Sequence, residues 1–125
     1  MAAAEKSAEP KPLRNACPSQ ERPVDLVHLA HQTMGDKDLE HEVLQMFMRQ
    51  ARKSLQEIGA AEPAAVAAAA HRLKGAAAAV GAFKVSAAAE RLEAAAGDLG
   101  RQAALVAALG SAVVEAEDFI LKLCR

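Results

Sequence analysis

Alanine decides most of what this chain can fold into. Thirty-two of its 125 residues are Ala, about half of everything apolar in it. Alanine is the best helix former and gives a strand little to pack with. No stretch reads as a strand, so the sequence predicts an all-α protein. Leu, Ile, Val, Met and Phe supply only 31 residues. Stability should therefore come from helix axes approaching closely rather than from large buried side chains.

The length fits one small domain. Residues 1–22 hold Pro10, Pro12 and Pro18, several charges and no periodicity, which predicts a disordered tail ahead of a single domain over 23–125. Pro23 suits the first turn of a helix. That helix is short, ends near Gly35 and carries Val24, Val27 and His31 on one stripe. Asp36 or Asp38 can cap the second helix. Its apolar residues Leu44, Phe47, Met48, Ala51, Leu55 and Ile58 recur at helical spacing, and Gly59 is its expected end. A third helix is predicted from Pro63 to Val80, stopped by Gly81. A fourth runs from Phe83 to Ala96, closed by Gly97. A fifth runs from Arg101 to Leu123, with Gly110 inside it at a cost of about 1 kcal/mol. Four such helices on short loops predict an up-down-up-down four-helix bundle, with the short additional N-terminal helix over one end.

Several function classes drop out. There is no Trp, no Tyr and only three Phe, so single-stranded nucleic acid finds no stacking platform. Fifteen basic and sixteen acidic residues leave a net charge of -1 and no basic footprint for DNA or RNA. No apolar run exceeds seven residues (Ala64–Ala70 is one), whereas a membrane span needs about 20. The charges Glu5, Lys6 and Glu9 break up the N-terminus, and no apolar core of a secretory signal follows. Cys17 and Cys124 form no Cys-x-x-Cys pair. They read as reduced thiols of a cytoplasmic protein, with a bond linking the two ends as the alternative. His28 and His31, at i and i+3, can share a helix face, but a metal site needs a third and fourth ligand.

His71 stands apart from the other histidines. At about 100° per residue, Val66, Ala69, Leu73, Ala76 and Val80 fall on one side of the third helix. His71 points nearly opposite, among Ala67, Lys74, Gly75 and Ala78. An exposed helix face is ordinarily filled with Glu, Lys, Gln and Arg, and this one is bare. Gly75, costly in a helix interior, suggests that something must come close to it. The plainer reading is an alanine-rich helix with an incidental surface histidine.

The chemistry gives His71 a use. An exposed imidazole is largely uncharged at neutral pH, its ordinary pKa being about 6.5. It can attack a reactive phosphoryl group with no separate base. Lys74, one turn on, suits the charge of the product. The chain has neither a Gly-x-x-x-x-Gly-Lys loop nor a kinase-type glycine loop, so a partner must bring both phosphoryl group and metal.

These residues resemble a known family. His71-Arg72-Leu73-Lys74-Gly75 followed by Val80-Gly81-Ala82 is similar to the signature of the histidine-containing phosphotransfer (HPt) domains of two-component phosphorelays. Met34-Gly35-Asp36 with Leu39, Leu44 and Phe47 resembles the loop and second helix of that family. Arg91-Leu92-Glu93 resembles part of its fourth helix. The likeness covers about residues 24–123. It implies a stoichiometric phosphocarrier rather than an enzyme, with His71 taking a phosphoryl group on Nε2 and passing it on. Lys74 would neutralise phosphoryl charge, Gly75 would clear space for the partner, and Glu93 would orient the imidazole. As a carboxylate, Glu93 could accept from Nδ1–H and raise basicity at Nε2. The implied partners are receiver domains of a hybrid histidine kinase and of a response regulator. Mg²⁺ would sit in the receiver, with no cofactor on this chain, and a monomer is implied. Lys74 and Arg72 would complement the acidic receiver pocket. Val27, Met34 and Met46 are candidates for the rest of the contact. Members often carry Ser after the Gly, where this chain has Ala76. Two rivals remain: an HPt-like bundle that binds a kinase or regulator without being phosphorylated, and a metal-binding bundle built on His28 and His31.

Overall fold

The computed structural model describes residues 22–60 and 62–124. The tail expected over 1–22 lies outside them but for Arg22, and so does Cys17. Five helices follow one another: α1 (Leu26–Thr33), α2 (Lys37–Ala60), α3 (Pro63–Val80), α4 (Phe83–Ala94) and α5 (Leu99–Leu123). There is no strand among the described residues. Helices α2, α3, α4 and α5 each pack on the next, and α5 returns to α2, closing a four-helix bundle. α1 packs on α2 and α3.

The core follows from composition. Its large members are Leu29, Leu44, Leu73, Leu92, Leu109 and Ile120, all fully buried, each worth about 1.5–3 kcal/mol of transfer free energy. Between them lie Ala69, Ala70 and Ala77 of α3 and Ala88 and Ala89 of α4. These small side chains let α3 and α4 make the most extensive helix–helix contact of the bundle. In α2, Leu44, Phe47, Met48, Ala51 and Ile58 are buried as their spacing predicts, with Leu55 half-buried.

The helix ends correct the sequence reading in four places. α1 begins at Leu26 rather than Pro23, because Asp25 caps it: Oδ1 accepts from the N–H of Val27 and of His28 at 3.0 and 3.1 Å. With Val24 ahead of the helix, its stripe shifts. Leu29 and Thr33 face inward, and Val27 and His31 face solvent. α2 passes through Gly59 to Ala60. α4 closes at Ala94, two residues early, and α5 opens at Leu99, two residues early. Elsewhere the expected devices operate. Asp36 Oδ1 accepts from the Leu39 N–H at 3.1 Å, and Pro63 opens α3. Gly81 ends α3 at φ 86°, its N–H directed at the carbonyls of Ala77 and Ala78.

A buried acid between α1 and α2 carried no sequence signal. Glu40, only 5% exposed, accepts from Thr33 Oγ1 at 3.4 Å and from Lys37 Nζ at 3.5 Å. It ties the short helix to the long one. No helix of the described residues is long and apolar enough to cross a membrane.

Candidate functional site

α3 presents His71, Lys74 and Gly75 on its outer face because Val66, Ala69, Ala70, Leu73, Ala77 and Val80 take the inner one. The His71 side chain is 65% exposed. Gly75 opens onto free space: a Cβ added there would meet no atom within 4 Å. Ala67 and Ala78 flank it, half-buried. The bare patch inferred from spacing is therefore real, and its ring is accessible.

α4 adds what spacing within α3 could not show. Leu92 anchors α4 in the core, so the next residue, Glu93, emerges beside α3. Its Oε2 lies 2.9 Å from His71 Nδ1 and its Oε1 3.1 Å from Lys74 Nζ. One carboxylate thus holds both candidate side chains. The hydrogen bond from the Lys74 ammonium, foremost, holds the Glu93 carboxyl below its ordinary value of 4.5; desolvation opposes it, and the His71 ring adds a smaller lowering effect. An ionised carboxylate only accepts hydrogen bonds, so in this pair Nδ1 donates and carries a ring proton, and Nε2 is the nitrogen that Glu93 does not engage. Ser86 on α4 donates to the Lys74 carbonyl at 3.2 Å. That hydroxyl joins the two helices under the site, where position 76 offers only Ala.

Arg72 is placed elsewhere. Its guanidinium pairs with Glu57 of α2 at 2.9 Å, on the side of α3 away from α4. The expectation that Arg72, with Lys74, complements an acidic receiver pocket meets this competing partner.

Beside Gly75 a shallow apolar groove of about 300 Å³ separates α2 from α3, lined by Val43, Met46, Phe47, Gln50, Ala76 and Val80. Val27, Met34 and Met46 are 57%, 95% and 59% exposed, so these candidate contact residues sit outside the core. His28 and His31 are not brought into a ligand set. The His28 ring packs edge-on against Phe83, centroids 5.2 Å apart, while His31 faces solvent. Among the described residues no three His, Cys, Asp or Glu side chains gather as a metal site. Cys124 is half-buried against the core.

Comparison with curated proteins and with solved structures gave no match. The family model described as "Hpt domain" matches residues 42–119, more than half of the chain and the stretch that carries His71, Lys74, Gly75 and Glu93. Such domains are helical bundles that carry phosphoryl groups on histidine in phosphorelays. With the bundle and an exposed α3 histidine both in place, the chain belongs to the Hpt domain family.

Proposed function

We propose that this chain relays phosphoryl groups between receiver-domain aspartates and its own His71, as a stoichiometric carrier without an ATP site. The observation that carries the reading is the exposed His71 ring, its Nδ1 at 2.9 Å from Glu93 Oε2. Nε2 attacks the phosphorus of an aspartyl phosphate as the P–O bond to the aspartate breaks; a Mg²⁺ held by the receiver would supply charge stabilisation there. Lys74 pairs with the transferred oxygens. Gly75 lets the receiver's loops reach the ring, and Glu93 orients it. The groove between α2 and α3, with exposed Met46, Met34 and Val27, forms the remainder of the docking face. The donor is a hybrid kinase's receiver and the acceptor a response regulator's, meeting a monomeric carrier in the cytoplasm.

The test is transfer from a panel of phosphorylated receivers to the wild type and to His71→Gln. An acid-labile, base-stable label on the wild type alone is the expected result. Binding of a receiver with no label from any donor would replace the relay with a binding or scaffolding role.

A further inference from the structure

His71 and Lys74 do not face a partner independently, since a single carboxylate bridges them. Glu93 gives Oε2 to the ring and Oε1 to the ammonium, at 2.9 and 3.1 Å. The other charged pair near His71, Arg72 with Glu57 of α2, closes on itself. Before phosphorylation the site thus pairs its one lysine cation with its one carboxylate, and both meet the ring through Glu93.

We propose that Glu93 keeps the Nδ1 proton on His71 in the phosphorylated state as well, hands Lys74 to the phosphoryl group, and thereby sets how long the phosphohistidine lasts. This rests on the reading of His71 as the phosphoryl acceptor. The Nε2 lone pair forms the N–P bond as the P–O bond to the donor aspartate breaks, and that electron pair stays with the aspartate. The ring now carries the phosphoryl group on Nε2 and the original proton on Nδ1. Lys74 Nζ turns from Oε1 to the new dianion. Glu93 is then left to the ring proton, through a hydrogen bond charged at both ends. On release, to an aspartate or to water, the N–P bond breaks and its electron pair returns to Nε2. The leaving group is a neutral imidazole because Nδ1 never lost its proton. A ring that had lost it would have to leave as an imidazolate, a far poorer leaving group. Glu93 acts through His71 and is a positioning residue; its charge favours quick hand-over rather than storage.

Phosphoramidate, which phosphorylates histidine with no receiver present, supplies the phosphorylated protein for the test. Nitrogen-15 imidazole spectra at pH 7.5 are expected to show Nδ1–H in wild type both before and after phosphorylation. In Glu93→Gln the phosphorylated ring should lose that proton, and its phosphoryl group should survive about tenfold longer, the size expected when a charged hydrogen bond becomes a neutral one. Lys74→Ala should keep the Nδ1–H signal, which separates the two roles. A wild-type phosphorylated ring without Nδ1–H, or equal lifetimes in wild type and Glu93→Gln, overturns the proposal. A labelled His71 that passes nothing to any receiver defeats the relay and leaves this role of Glu93 standing. A His71 that phosphoramidate cannot label overturns both.

Discussion

A Cβ at position 81 would lie 2.9 Å from the carbonyl oxygen of Asp25. The two residues also share a backbone hydrogen bond, the Asp25 N–H donating to the Gly81 carbonyl at 2.9 Å. The turn between α3 and α4 is therefore the seat on which the start of α1 rests, and Asp25 caps α1 from that seat. Gly81 holds φ at 86°, so Gly81→Ala adds a left-handed backbone penalty to a clash with main-chain atoms. The expected loss is about 2 kcal/mol or more, read by urea unfolding. A change below about 0.5 kcal/mol would mean that α1 is not seated there.

Gly75 predicts the reverse. It lies inside α3 with a helical backbone, and a methyl group at its Cβ position would meet no atom within 4 Å. Gly75→Ala should stabilise the bundle by about 1 kcal/mol. If the open patch is clearance for a receiver, Gly75→Leu keeps the stability gain and slows phosphoryl transfer about tenfold or more, since small displacements of reacting groups are costly. Thermal unfolding and transfer rate, measured on the same two variants, should move in opposite directions. Unchanged transfer in Gly75→Leu would remove the clearance role.

Much of this is legible in the sequence, for identifiable reasons. The inner face of α3 is fixed by Val66, Leu73 and Val80, so the outward direction of His71 follows from periodicity alone. The end of α2 does not follow. A glycine stops a helix where the chain turns left-handed, as at Gly81, and Gly59 makes no such turn. The face of α1 departs from the expected stripe because a cap at Asp25, rather than the proline before it, sets where the turns begin. Glu93 lies twenty-two residues from His71 on another helix. Only the family pattern singles it out, and no pattern within one helix shows that it also holds Lys74 or that Glu57 holds Arg72.

The division between Arg72 and Lys74 gives a third prediction. Arg72 spans to Glu57 at 2.9 Å, both side chains well exposed, and such pairs are worth about 0–1 kcal/mol. Arg72→Ala should therefore change both stability and transfer little. If Lys74 is the cation that meets the phosphoryl oxygens, Lys74→Ala should slow transfer about tenfold. Equal losses in the two variants, in a quenched-flow transfer assay, would show that Arg72 leaves Glu57 when a receiver docks.

The last prediction concerns acid. Glu93's carboxyl is held below its ordinary value of 4.5, first by its hydrogen bond with Lys74 and then by His71. A carboxylate whose value is lowered in the folded state binds fewer protons there than in the unfolded chain. Its stabilising contribution is complete above the unfolded value and is lost as pH falls through the folded one. The stability that the Glu93 carboxylate contributes relative to Glu93→Gln should accordingly be lost as pH falls below the ordinary glutamate value. Carbon-13 titration of the Glu93 carboxyl supplies the direct measure. Lys74→Ala should return its midpoint toward 4.5 by more than His71→Gln does, because Lys74 is the larger cause. If His71→Gln moves it more, the ring rather than the lysine holds the carboxylate in its charged form, and the hand-over of Lys74 to a phosphoryl group would cost Glu93 little of its charge stabilisation.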